Sequence, residues 1–153
     1  MSDSGYSIYI DRENIKTSLQ RKLETLLSDS EVKHGITEIV EKNVRKYVPR
    51  DTGKLADESV TVGVDTITWD TPYAHYQYEG LAYGPNFLVV DKNGQLVWRS
   101  RKGSTKYPNG NLLSYKTPGT TDHWIDAMWA NDKRSVQLQI TNYLKRCAKQ
   151  KGL

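Results

Sequence analysis

From Asp11 onward the apolar residues Ile15, Leu19, Leu23, Leu26 and Leu27 recur at three- and four-residue steps. That spacing lines one face of a helix, with Asp11 as its predicted N-cap. Ser28-Asp29-Ser30 interrupts the pattern and predicts the cap of a second helix, whose stripe is Ile36, Val40, Val44 and Tyr47. The charged residues sit off that stripe, with Glu38–Lys42 and Glu41–Arg45 spaced to pair one turn apart. Pro49 stops the run, because the residue before a proline is driven out of the helical region. Ahead of the helices, Tyr6–Ile10 alternates weakly and reads as a short strand.

The period then shortens. Ser59–Val64 and Thr66–Asp70 are alternating, β-branched segments around Val64-Asp65, which predicts a hairpin. Tyr73–Tyr78 alternates Tyr, Ala, His, Tyr, Gln, Tyr and reads as a further strand or an irregular sheet edge. Asn86–Val90 and Gln95–Arg99 flank Asp91-Lys92-Asn93-Gly94, and the Asn-Gly pair is a strong hairpin signal. Ser100–Thr121 has no period and carries Gly103, Pro108, Gly110, Pro118 and Gly119 among polar and basic residues. Long segments of this kind are usually functional or disordered. Thr121-Asp122 is expected to cap a last helix with Ile125, Met128, Trp129, Val136, Ile140, Leu144 and Cys147 on its apolar face, irregular near Asn131-Asp132. The expected fold class is α+β: N-terminal helices over 11–48, a central antiparallel β-sheet with hairpins over 58–99, a basic arm over 100–120, and a C-terminal helix over 121–149 packed on the sheet. At 153 residues, a single domain is expected.

Composition sharpens the picture in two respects. Ten Tyr and four Trp stand against one Phe, and such residues, apolar with a polar tip, favour half-buried positions and interfaces. Tyr-rich strands in an ordinary α+β domain would give the same count. The net charge of +4 is mild for a dedicated nucleic-acid binder. Its local excess lies in Lys92–Lys116 and in Lys133–Lys151, the latter suiting a helix C-terminus. The single Cys147 leaves no internal disulfide framework. The polar start, with no long apolar run, predicts neither a signal peptide nor membrane contact, and points to the cytoplasm or a particle assembled there.

Candidate chemistry is sparse. Asp51-Thr52-Gly53 matches the signature of aspartic proteases, where two such Asp side chains share a proton. One copy per chain would require a dimer, and the motif should lie on an apolar strand-loop, whereas Arg50 precedes it and Lys54 follows. A turn explains it as well, with Asp accepting local backbone N–H bonds and Gly permitting positive φ. His34, His75 and His123 lack partners at metal-ligand spacing. Neither a catalytic residue, a metal nor a cofactor is expected. The basic segment Arg99, Arg101, Lys102, Lys106, with Trp98, Tyr107 and Tyr115, has three readings: a single-stranded nucleic-acid module, a solvated loop, or an arm that orders against a neighbouring subunit.

The order of motifs resembles a known family. Val48-Pro49-Arg50-Asp51-Thr52-Gly53-Lys54-Leu55 with Ser59, then Pro72-Tyr73-Ala74-His75-Tyr76-Gln77-Tyr78-Glu79-Gly80, then Thr117-Pro118-Gly119-Thr120 leading into His123-Trp124 follow one another as in the small head–tail connection proteins of long-tailed bacteriophages. These are variously described as minor capsid, neck or tail-completion proteins. The likeness spans about Thr37 to Leu144 and departs from the family in the longer Asn86–Arg99 hairpin and its basic extension. It implies no catalysis, but a homo-oligomeric ring, hexamer or dodecamer, in the neck of the virion, assembled in the host cytoplasm. The implied partners are a portal-side adaptor or head-closure protein, a tail terminator or tail tube protein, and genomic DNA passing through the lumen without sequence specificity. On this reading Pro49, Asp51, Thr52 and Gly53 set the helix-to-sheet corner, and Tyr73, Tyr76, Tyr78 and the basic arm touch other subunits. Removing Arg101–Lys116 is then expected to leave the fold intact but abolish ring formation.

Overall fold

The computed structural model describes residues 12–153, with side chains from residue 16 onward. The Tyr6–Ile10 strand, the Asp11 cap and the Ile15 side chain lie outside the described residues. Helix α1 spans Arg12–Ser28 and α2 spans Ser30–Val44. Between them Asp29 is in extended conformation, and its carboxylate accepts the backbone N–H groups of Glu31 (2.8 Å) and Val32 (3.3 Å). That satisfies donors which a helix start leaves orphaned. A 3₁₀ turn over Arg45–Tyr47 follows α2, then extended Val48 and buried Pro49.

Helix α4, Trp124–Gln150, lies along α2. The two are antiparallel, because contacts run from Glu31–Tyr143 through Asn43–Gln139 to Tyr47–Asp132. Between them Val44, Val48, Met128 and Val136 are buried with Trp124, Leu55, Ala56 and Ala74. A second cluster joins Leu26 of α1 to Val32 and Cys147. Among the described residues of the stripe predicted for α1, only Leu26 is buried, and Leu19 and Leu23 are 62% and 45% exposed. Gly35 leaves room here for the Tyr143 ring of α4, since a Cβ at this point would sit 2.0 Å from the Tyr143 hydroxyl.

Polar ties hold the helices in register. Glu41 is 3% exposed and takes two hydrogen bonds of 2.8 Å from the Arg45 guanidinium. Glu38 lies beside His34 at 3.6 Å rather than making the expected contact with Lys42. The expected irregularity at Asn131-Asp132 does not occur, since α4 is continuous. Asp132 instead fastens it to the end of α2, 2.6 Å from the Lys46 ammonium and 2.8 Å from the Tyr47 hydroxyl. At the far end Lys151 pairs with Asp29.

The β structure is less unified than a central sheet. Strands β1 (Val60–Val62), β2 (Ile67–Trp69), β3 (Leu81–Gly84), β4 (Phe87–Val90), β5 (Leu96–Arg99) and β6 (Tyr107–Leu112) form three separate antiparallel ladders, β1–β2, β3–β6 and β4–β5. The turn of β1–β2 is held by α2, where His34 Nδ1 lies 2.8 Å from the Gly63 carbonyl and the Thr37 hydroxyl donates to the Val64 carbonyl at 2.8 Å. The C-terminal helix meets β2 through Trp124 and packs along α2 for the rest of its length.

Two segments differ in kind from the sequence reading. Tyr73–Tyr78 is not a strand: Ala74–Glu79 is a short helix, α3, closed by Gly80 in the left-handed region at φ 68°. A short stretch with Ala74 and Tyr78 facing the core satisfies period two and a single helical turn alike. The 100–120 segment is not all loop, because it contains β6. Its register jumps from Tyr83↔Pro108 to Leu81↔Leu112, so Asn109–Asn111 bulge out, with Gly110 at φ 83°. Pro and Asn-Gly signal turns, but they are also what a bulged edge strand tolerates. Removing Arg101–Lys116 would take away β6, so the fold would not survive intact, contrary to the expectation above.

Gly35→Ala is expected to destabilise the protein by about 1–2 kcal/mol despite a helix-propensity gain of about 1 kcal/mol. In a Tyr143→Ser background the same change should stabilise; urea unfolding of the four variants measures the coupling. The Asp132 carboxyl is held below the ordinary value of 3.8 by hydrogen bonds from Lys46 and then Tyr47, and Asp29 below it by Lys151 and by the backbone of Glu31 and Val32. The stability each adds is whole above the ordinary value and is lost as pH falls through the lower native one. Asp132→Asn is therefore expected to flatten the acid limb of stability below about pH 4, read by thermal unfolding across a pH series.

Candidate functional site

The helix-to-sheet corner is built from the backbone outward. Gly53 adopts φ 83°, and Lys54–Glu58 follows as a single π-helical turn with Leu55 and Ala56 buried. Lys54 N–H meets the Thr52 hydroxyl at a long 3.4 Å, whereas the exposed Asp51 carboxylate takes no hydrogen bond from the described residues. The local cap expected of Asp51 thus falls to Thr52. Arg50 pairs with Asp57 at 3.1 Å, and its carbonyl accepts the Thr117 hydroxyl at 2.6 Å. Thr121 N–H reaches the Tyr47 carbonyl at 3.0 Å, so Thr117–Thr121 is laid against this corner.

The candidate contact residues divide into two groups. Tyr78 faces inward, its ring 4.7 Å from Trp124, and burial pushes its phenol up from the ordinary range. Tyr115 donates to the Gln77 carbonyl at 2.6 Å and is likewise shifted up by burial. The Tyr76 ring lies 4.5 Å from that of Tyr83, tilted by 45°, and the Tyr83 hydroxyl donates to Glu79. These rings brace α3 and the loop that returns to α4. Tyr73, Trp98, Arg99, Arg101, Lys102 and Tyr107 are exposed, and Lys106 is half-buried.

Most of the exposed group clusters on or beside one feature, the β4–β5 ribbon. Asp91 shapes its turn by accepting the N–H groups of Asn93 and Gln95, and Gly94 supplies the φ of 77°. In its register Leu88 faces Trp98 and Val90 faces Leu96. Paired residues share a face, and these four are 49%, 69%, 64% and 66% exposed. The opposite face carries Phe87 opposite Arg99, with the Arg101 guanidinium 4.7 Å from the Phe87 ring centroid. The ribbon joins the body at Asn86, whose side chain accepts from Ser100 and Lys106. Trp98 and Tyr107 flank an open cleft of about 630 Å³ there, lined also by Pro85 and Pro108.

Sequence reasoning named Trp98 and the basic residues but missed the apolar face. The signal was present: four consecutive apolar residues in β4 exceed what a ribbon covered on one side needs. Among the described residues no group of His, Cys, Asp and Glu is placed to hold a metal, and no helix is long and apolar enough to cross a membrane.

An α+β body presenting an apolar and basic ribbon has the surface of a protein that acts by contact with other macromolecules. Residues 10–146 match the family model described as minor capsid protein, and the chain belongs to that family. It is a structural component of the virion, and membership implies a non-catalytic role. No curated relative and no solved structure matches the chain.

Because nothing from Leu88 or Trp98 enters the core, Leu88→Ser and Trp98→Ser are each expected to change unfolding free energy by no more than about 0.5 kcal/mol. Thermal and urea unfolding of the purified variants measures this.

Proposed function

We propose that this protein is a neck component of a tailed phage, forming a homo-oligomeric ring that joins the capsid or portal to the tail and lets DNA pass. The observation that carries the reading is the open apolar face of the β4–β5 ribbon, Leu88, Val90, Leu96 and Trp98. An apolar face on a two-stranded ribbon is only marginally stable in water and marks a surface that a partner covers. Family membership supports the virion setting. The order of the Asp51-Thr52-Gly53 corner, the Tyr73–Gly80 segment and the Thr117-Pro118-Gly119-Thr120 approach to α4 supports the neck position.

On this reading a portal-side adaptor or head-closure protein lies on one side of the ring. A tail terminator or tail tube protein lies on the other, and genomic DNA crosses the lumen without sequence readout. Asp51 is an exposed corner residue with no catalytic duty.

Sedimentation of the purified protein across a concentration series, with negative-stain imaging of the large species, is expected to give closed rings, hexameric or dodecameric. A monomer or a strict dimer at every concentration would overturn the ring.

A further inference from the structure

We propose that the outer face of α4, from Arg134 to Lys149, is the surface that meets duplex DNA. The inference deepens the ring reading and rests on it for one point, that this face lines the lumen. From Lys133 to Leu153 there are six Lys and Arg and neither Asp nor Glu. The whole chain has 22 of the former and 18 of the latter, so without this stretch it would be net acidic. A helix dipole favours cations within the last turn, which accounts for Lys149. It leaves Lys133 and Arg134, about four turns earlier, unexplained. A helix face that only meets solvent mixes both signs, often as Glu–Lys pairs one turn apart, and this stretch has no acid to pair.

The helical period sorts these residues. Val136 and Cys147 are buried, and Ile140 and Tyr143 pack against the two core clusters, so that side of α4 faces inward. Arg134, Leu138, Thr141, Lys145 and Lys149 recur at steps of three and four on the opposite side, and all are exposed. At 1.5 Å per residue this stripe is about 22 Å long. Arg146 stands at its α2 edge, where it lines an open cleft with Ile39, Gln139 and Asn142. Among the described residues, Lys133, Arg134, Lys145, Arg146 and Lys149 enter no ion pair, whereas Lys151 pairs with Asp29. The chemistry of the partner follows from what the stripe lacks. It has no aromatic side chain on which a single strand would stack its bases. Leu138 is its one large apolar residue, too little to enter a membrane surface or to anchor a protein interface. Cations with Thr141 and Asn142 among them suit a duplex backbone, and phosphate contacts of this kind hold without sequence readout and permit sliding.

Neutralising the stripe (Arg134→Gln, Lys145→Gln, Lys149→Gln) tests this, with an equal loss of charge from the ribbon and arm (Arg99→Gln, Arg101→Gln, Lys102→Gln) as control. Fluorescence anisotropy of a labelled mixed-sequence duplex, titrated with each protein over a salt series, gives the affinity and its salt slope. The stripe variant is expected to bind about tenfold or more weaker at low salt with a slope smaller by about 2–3, and the control to stay within about twofold of the parent. Circular dichroism should show both variants folded. A parent that leaves the duplex free, a stripe variant that binds as the parent does, or a control that loses as much would overturn the inference. So would a single strand, or vesicles of anionic lipid, held more tightly than the duplex. Sedimentation separates the inference from the ring. The stripe variant should assemble as the parent does, and loss of its rings would make the face a subunit contact and overturn the inference. If the parent forms no ring but needs the stripe to hold duplex, the DNA face stands and the lumen falls.

Discussion

The fold turns on the Trp124 indole. It is 1% exposed, meets Trp69 of β2 edge-on at 5.5 Å and 69°, and meets Tyr78 of α3 at 4.7 Å and 86°. One side chain at the first position of α4 thus ties together the β1–β2 hairpin, the short helix and the long one. Its placement is set by the backbone just before it. His123 stands in the left-handed region at φ 41°, with its N–H on the Tyr78 carbonyl at 2.9 Å. A non-glycine residue held there costs about 1–3 kcal/mol, and a buried indole returns about 3–5 kcal/mol relative to alanine. Burial therefore outweighs the strain, although the indole N–H finds no acceptor among the described residues.

Around that pivot the core is small, and much of the remaining order comes from polar ties between distant segments. The Thr117 hydroxyl on the Arg50 carbonyl, Tyr115 on Gln77 and Thr37 on Val64 each link stretches well separated in sequence. Each net contribution is modest, about 0.5–1.5 kcal/mol, but together they place loops that lack enough apolar surface to place themselves. The tyrosine-rich composition is spent largely in this way. Tyr47, Tyr78, Tyr83 and Tyr115 brace the body, and the aliphatic surface left over is concentrated in the ribbon and on α1.

How legible this was in the chain depends on the element. The α2 stripe and the apolar positions of α4 were readable, because Val44, Met128 and Val136 repeat often enough for the helical period to stand out. The hairpins at Val64-Asp65 and Asn93-Gly94 were readable from turn chemistry. The short helix over Ala74–Glu79 was not, since six residues cannot separate a period of two from one of 3.6. Nor was β6, whose pairing with Leu81–Gly84 is long-range and bulged. The start of α4 was misassigned for a related reason. Asp122 carries a cap-like side chain, but it accepts from the Thr121 hydroxyl and crowds Gly80, leaving His123 to open the helix. The candidate contact residues were found by type, aromatic or basic, and type alone does not tell Tyr78 in the core from Trp98 in solvent.

The attachment of the ribbon has a consequence for how such a chain can change over generations. Its side-chain hydrogen bonds to the body converge on Asn86, and none of its described side chains is fully buried. Substitutions along β4 and β5 are thus nearly invisible to folding and are judged through whatever they touch. The body is the opposite case, where a change at Trp124 or Gly35 is screened by folding before any partner meets it. The chain thereby keeps two separate accounts of mutation, and the ribbon can drift in length and sequence to follow a changing neighbour while the scaffold stays fixed.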